Sequence, residues 1–379
     1  MSPCDGMPWF ASLVRDLNAD GRDDLLLGCS NKLTVSLGAP STLTPELHTN
    51  SLDRLLSSAA LVAREPAPVF VLGGRGRASV VVLETVQGAR GWAVKTTRVE
   101  LDDWRDSADE TDRARVELLD DRGALDEGIA YAAGPGALVE LEWRSAAAQP
   151  GALHVLRRWP IPATGELERL TLADLDGDGA QRLVLLAQRR PRTNRCALQV
   201  VEWPTRVRDG RLELGEPRTH TVQRACASLP GELGGEPGVP LRLERAGVGL
   251  LRRRGDPLDV QLELAPLGQD TTPVAIFTHR LQPASRRRLC AQVVSKQYAV
   301  DPSGVDVWYG LVSTYLVEDG VITGIRSAPL PEGFVPAAIV QGDFNGDERT
   351  ETLWVNDGGA PHILSRGLGR GCAGPMQDP

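Results

Sequence analysis

Three short runs of this chain place oxygen-bearing side chains at alternate positions: Asp16-Leu17-Asn18-Ala19-Asp20-Gly21-Arg22-Asp23-Asp24, Asp174-Leu175-Asp176-Gly177-Asp178-Gly179-Ala180-Gln181-Arg182 and Asp343-Phe344-Asn345-Gly346-Asp347-Glu348-Arg349-Thr350-Glu351. A tight loop with that spacing can fold its oxygens round a hard cation such as calcium, which takes roughly six to eight oxygen ligands. Carboxylates so close together repel one another unless a cation lies between them. The same residues also read as plain acidic turns, because Asp, Asn and Gly favour turns in their own right.

The elements that hold these runs are strands. Each run leads into a short apolar stretch, Leu25-Leu26-Leu27, Leu183-Val184-Leu185-Leu186 or Thr352-Leu353-Trp354-Val355. These are strand-sized and too short for an ordinary helix. An EF-hand needs a bidentate Glu at its twelfth position and a helix on either side. The twelfth positions here are Leu27, Leu185 and Trp354. A loop joining two strands of one sheet fits better.

The repeats set the architecture. The runs begin at 16, 174 and 343, so the intervals are 158 and 169 residues. Divided by three, each is about 53 to 56 residues, close to the length of propeller-type repeats. Weaker copies fill the gaps. Gly76-Arg77-Ala78-Ser79-Val80-Val81-Val82 overlays Gly21 to Leu27, with Val71, Gly73 and Arg75 at the metal positions, and that copy needs no calcium. Others are Asp120 to Tyr131, Gly255 to Leu262 and Gly304 to Gly310. Three strong and four weak copies make seven of about 54 residues, room for four short strands each. The expectation is a single all-β domain over 1–379: a seven-bladed β-propeller of four-stranded antiparallel blades with calcium-binding hairpin loops at 16–24, 174–182 and 343–351. A loop insertion is expected within 188–251, where Gly231 to Pro237 reads as exposed.

The composition agrees with a turn-rich globular protein: 379 residues, 41% apolar, 40 Gly and 27 Pro. The net charge of −8 argues against nucleic acid as a partner. Arg189, Arg190, Arg192 and Arg195, then Arg252 to Arg254, then Arg286 to Arg288 form basic clusters, read either as solvated loops or as sites for an anionic glycan or phosphate. Lys32, Lys95 and Lys296 are the only lysines among 42 basic residues, an arginine skew that reads as a GC-rich bacterial genome. Six cysteines show no C-x-x-C spacing, which removes support for a zinc or redox site. They suit disulfides or buried apolar positions, and Cys196 with Cys226 is the closest pair among the central four. No apolar run reaches the ~20 residues of a membrane span. Met1-Ser2-Pro3-Cys4 lacks the features of a signal peptide, so an exported protein would have lost its leader already.

The pattern Asp-x-(Asp/Asn)-(Gly/Ala)-Asp-x-x-x-(Asp/Glu) followed by an apolar strand resembles the FG-GAP or VCBS repeat of integrin-α-type propellers and many secreted bacterial proteins. The resemblance implies calcium in the first hairpin loop of some blades. Its ligand pattern falls on Asp16, Asn18, Asp20, the Arg22 carbonyl and Asp24, and on Asp343, Asn345, Asp347, the Arg349 carbonyl and Glu351. In the middle loop it falls on Asp174, Asp176, Asp178 and the Ala180 carbonyl, but Arg182 stands where a carboxylate is expected. That site should bind more weakly or complete its shell with water, giving two or three structural calcium ions.

A propeller must join its last blade to its first, and a Cys4–Cys372 disulfide is expected to do so. His48, His154, His220, His279 and His362 stand apart from one another, and no nucleophile elbow, H-E-x-x-H, phosphate loop or dinucleotide fingerprint occurs. The eight tryptophans suit blade packing, or stacking on sugar rings. Arg254-Gly255-Asp256 reads as coincidence. The expected function is a non-catalytic binding module, secreted, periplasmic or at the cell surface, that presents one face to a glycan or protein ligand. The alternatives are a propeller-based lyase or hydrolase, marked by a central cluster of His, Tyr, Arg and acid, and a structural part of a cell-surface assembly, marked by a broad apolar patch.

Overall fold

The computed structural model describes residues 9–364 apart from 30–31, 40–42, 50–54, 65–66, 76–78, 89–90, 101–114, 120–124, 147–148, 163–164, 189–195, 230, 233–236, 254–257, 265–270, 281–287, 301–305, 319–320, 331–333, 349–350 and 357–360. Successive sheets follow one another along the chain. The first blade is β1 Trp9–Arg15, β2 Asp24–Cys29, β3 Lys32–Gly38 and β4 Leu43–Thr49; the second is β5 Leu55–Ala63, β6 Val69–Arg75, β7 Ser79–Gly88 and β8 Gly91–Glu100. The third is β9 Glu117–Leu118, β10 Ile129–Gly134, β11 Ala137–Ala146 and β12 Gln149–Pro160. The fourth is β13 Glu166–Ala173, β14 Arg182–Gln188 and β15 Ala197–Arg208, with β16 Arg211–Leu214 and β17 Arg218–Gln223 both on the outer edge of β15. β18 Ala225–Ser228 then leads through β19 Gly231–Glu232 to β20 Val239–Leu243, β21 Val248–Arg253 and β22 Leu258–Leu264, and β18, β20, β21 and β22 make the fifth blade. The sixth is β23 Thr271–Arg280, β24 Arg288–Val300, β25 Asp306–Glu318 and β26 Val321–Pro329. A last sheet, β27 Pro336–Gly342, β28 Glu351–Asn356 and β29 Pro361–Leu364, completes the series.

The first strands meet one another round the middle: β1 touches β5, β5 touches β9, β9 touches β13, β13 touches β18, β23 touches β27, and β27 returns to β1. The protein is therefore an all-β propeller. Six blades carry four or more strands, and the sheet that closes the ring carries three among the described residues. The expected seven four-stranded blades are thus corrected to six. Dividing the chain into equal copies gave the end as much strand as any other part, but the described closing sheet spans only 336–364, about half of one repeat.

Apolar side chains lie between neighbouring sheets. Leu183, Leu185 and Ala187 of β14 pack toward the third blade, while Val184 and Leu186 of the same strand pack toward the fifth. That is why the run after the middle acidic loop is continuously apolar: both faces of a blade are covered. Leu26, Leu33 and Val35 likewise join Phe70 and Leu72 of the second blade.

Among the weak copies, Asp120 to Tyr131 begins outside the described residues and runs into β10, the second strand of its blade, as the strong motifs run into theirs. Gly76, Gly255 and Gly304 lie outside the described residues, but the strands that follow them, β7, β22 and β25, are the third or fourth strands of their blades, not the second. Val71, Gly73 and Arg75, read as eroded metal positions, belong to strand β6. The long stretch 188–251 holds an extended β15 whose outer partner is broken into β16 and β17. Gly231–Glu232 is not simply an exposed loop, because it pairs in parallel with Ile276 and Phe277 of the sixth blade.

Candidate metal loops and ligand surface

The three acidic loops join β1 to β2, β13 to β14 and β27 to β28. They follow one backbone path. Their fourth residues, Ala19, Gly177 and Gly346, have φ of 59°, 74° and 75°, and their sixth, Gly21, Gly179 and Glu348, have φ of 83°, 84° and 61°. The two left-handed steps turn amide groups inward. The leading carboxylate then accepts the sixth residue's N–H in every loop: Gly21 to Asp16 at 2.9 Å, Gly179 to Asp174 at 2.9 Å and Glu348 to Asp343 at 2.8 Å. Ala19 and Glu348 carry a β-carbon through this conformation at about 1–2 kcal/mol each.

In the first loop Asn18 accepts the Asp20 N–H at 3.1 Å and Asp20 accepts the Arg22 N–H at 3.0 Å. Asp24, at the ninth position, is fully buried and accepts N–H bonds from Leu17 and Gly38, each at 2.7 Å. Burial pushes its carboxyl up to about 6, with Asp20 and Asp16 pushing the same way and the two N–H bonds opposing. In the last loop Asp347 gives its N–H to Asp343 at 3.0 Å and to Asn345 at 2.9 Å. Arg349 lies outside the described residues; Glu351 begins β28, and its side chain is outside them too. Among the described residues no three Asp, Glu, His or Cys side chains form a ready-made metal cage.

The middle loop is different. Ala180 donates its N–H to Asp178 at 2.8 Å, but Asp176 is taken by two guanidinium groups. Arg182 pairs with one carboxylate oxygen and Arg253 of β21 lies 3.0 Å from the other. Arg253 also binds Glu202, which is fully buried on β15 and has His220 at 3.3 Å. Positive charge is thus supplied here by arginine. The neighbouring blade seals the loop further: Gly238 donates to the Asp174 carbonyl at 2.6 Å and Arg253 to the Leu175 carbonyl at 2.9 Å.

Of the basic cluster 252–254, Arg253 is nearly buried in this network and Arg252 binds the Pro237 carbonyl at 2.7 Å, so these two are not simply solvated. Arg254, Gly255 and Asp256 lie outside the described residues, as do Arg189, Arg190, Arg192, Arg195, Arg286 and Arg287.

The first and last loops meet where the ring closes. Asp23 donates its N–H to the Asp343 carbonyl at 2.8 Å, and its carboxylate accepts the Asp343 N–H at 2.8 Å. Gly38 lies so close that a β-carbon there would stand 2.6 Å from the Asp23 carbonyl oxygen and 2.7 Å from that of Phe344. Asp23 was not among the residues the motif singled out; its only signal in sequence is its place beside Asp24. Cys4 and Cys372 lie outside the described residues. Cys196 and Cys226 form a disulfide that ties the start of β15 to β18, and Cys290 is disulfide-bonded as well.

A second charged joint links the third and fourth blades. Glu140, fully buried on β11, lies 3.1 Å from Arg211 of β16 and 3.7 Å from Arg157. Nearby, the Tyr131 hydroxyl accepts the Leu212 N–H at 2.8 Å, and burial pushes its pKa up to about 12. The acid and the arginines pair with one another, while Tyr131 bonds the β16 backbone across the same blade joint.

No family model matches the chain, and none of the curated proteins is similar to it. Function must be read from the surface. Trp203 is fully buried, and Trp143 and Trp159 pack against the core. Trp308 is 46% exposed. It stands opposite Tyr298 in the β24–β25 hairpin, ring centroids 5.4 Å apart and tilted by 62°, with the Lys296 ammonium 5.4 Å from the indole centroid. Val300 and Tyr309 beside it are also exposed. No helix among the described residues is long and apolar enough to cross a membrane.

Proposed function

We propose that the chain is a non-catalytic binding propeller of an exported bacterial protein, stiffened by calcium and presenting the Tyr298–Trp308 face to a glycan. The observation that carries this reading is the exposed indole. A large aromatic face left in solvent next to a second ring and a cation suits the apolar face and hydroxyl rim of a sugar. The disulfide is compatible with export, and the arginine skew supports a bacterial source.

The proposed calcium ions belong to the first and last loops, in the manner of the FG-GAP or VCBS repeat. Asp16, Asn18, Asp20 and Asp24, and Asp343, Asn345, Asp347 and Glu351, supply the side-chain oxygens, with the carbonyls of Arg22 and Arg349. The donor set is all oxygen, as a hard cation requires. The raised pKa of Asp24 suits a carboxyl that gains from a neighbouring cation. In the middle loop Arg253 takes the cation's place, which makes two ions rather than three. Calcium's task is to hold the first hairpins of the first and closing sheets, whose loops meet where the ring closes.

A glycan array probed in calcium and in chelator tests the function. Binding should appear on a defined set of glycans, and Trp308→Ala should weaken it by at least about tenfold, ~1.4 kcal/mol. Either an array with no binding, or a Trp308→Ala protein that binds as well as the parent, would overturn the reading.

A further inference from the structure

A cavity of about 520 Å³ opens beside the Cys196–Cys226 disulfide, where the fourth, fifth and sixth blades meet. Its volume suits a sugar-sized molecule. Arg242 and Arg245 line it, and neither guanidinium has an ion-pair or hydrogen-bond partner among the described residues. Arg245 sits in a one-turn 3-10 segment, Glu244–Ala246, with a left-handed φ of 56° that residues with a β-carbon rarely adopt. Among the described lining residues the one carboxylate is Glu244, which has an oxygen engaged by the Cys196 N–H at 2.8 Å. Thr271, also in the wall, is 6% exposed, and its hydroxyl has no partner among the described residues.

From these features we infer that the cavity binds an oxyanion carried on a small polar body such as a sugar: a carboxylate, a sulfate ester or a phosphate ester. Two guanidinium groups against one half-engaged carboxylate leave a positive balance, and guanidinium matches such anions with paired N–H bonds. The site is distinct from the aromatic surface. Thr271 pairs with Gln297, on the face whose Val293 packs toward Val248 and Leu250 of the fifth blade. Tyr298 and Trp308 share the opposite face with Val294 and Val312, which pack with Phe334. The inference goes beyond the glycan reading and stands without it.

Titration calorimetry with glucuronic acid, glucose 6-sulfate, glucose 6-phosphate and neutral glucose separates the possible anions on one ring. At least one charged hexose should bind saturably while glucose does not, and Arg242→Ala should weaken it about tenfold or more. Arg245→Glu, at an exposed position, should abolish the heat. The inference is overturned if no charged hexose binds better than glucose, or if Arg245→Glu binds like the parent.

Discussion

Replacing Arg253 with Met removes one of the two guanidinium groups from the middle loop while keeping most of the volume. Arg253 is 10% exposed, and its partners Asp176 and Glu202 are 21% and 0% exposed. Removing one member of a buried pair costs about 3–5 kcal/mol, because the other is left charged without compensation. Here Arg182 still holds Asp176 and His220 still lies 3.3 Å from Glu202. That places the cost near the lower end, about 3 kcal/mol. With an unfolding entropy of ~2.1 cal/mol/K per residue, the 379-residue chain has about 0.8 kcal/mol/K, so the midpoint should fall by about 4 °C. Urea unfolding and scanning calorimetry in chelator give both values. Glu202→Gln in the same background isolates the pair, and the double variant should recover at least ~1 kcal/mol of the summed losses. If Arg253→Met stays within ~1 kcal/mol of the parent and the coupling vanishes, Arg253 does not stand in for a cation.

Two other predictions concern the ring closure. Burial raises the Asp24 pKa from 3.8 to about 6, so in chelator the folded protein binds a proton the unfolded chain releases. Stability is therefore lost as the pH rises from 3.8 through 6 and stays lost above, by up to about 3 kcal/mol; Asp24→Asn should lose that component, and equal urea-midpoint shifts in the two proteins would exclude it. Gly38→Ala drives a β-carbon into two backbone oxygens across the closure, so it should cost about 1–3 kcal/mol and speed amide exchange at Asp23 and Asp343, while unchanged exchange would show that the closure does not depend on this contact.

Much of the fold is visible in a few residues. The acidic loops announce hairpins because Gly takes four of their six left-handed positions while their Asp and Asn side chains accept the loop's own N–H groups, and the runs behind them announce strands covered on both faces. The weak copies misled because a Gly-rich turn before a β-branched run looks the same in every hairpin of a blade. The Gly76 copy carries no acid, and the Gly304 copy has lost the alternating acids, so neither says which hairpin it belongs to. The closing sheet escaped equal division for the same reason: spacing counts turns, not strands. The middle loop was legible only to the extent of Arg182. Its other guanidinium comes from Arg253, far along the chain and brought in by the next blade. Asp23 was hidden in plain view, since its partner across the closure is the backbone of Asp343. Trp308 could not be told from the packing tryptophans until the hairpin placed it in solvent.

The central claim is that two of the three acidic loops are structural calcium sites and that arginine has replaced the ion in the third. Titrating calcium into chelator-treated protein by calorimetry tests it most directly. Two ions per chain should bind and raise the melting temperature, with one ion lost on Asp16→Ala, one on Asp343→Ala and none on Asp174→Ala. No heat and no rise in melting temperature, or an ion lost with Asp174, would contradict the account.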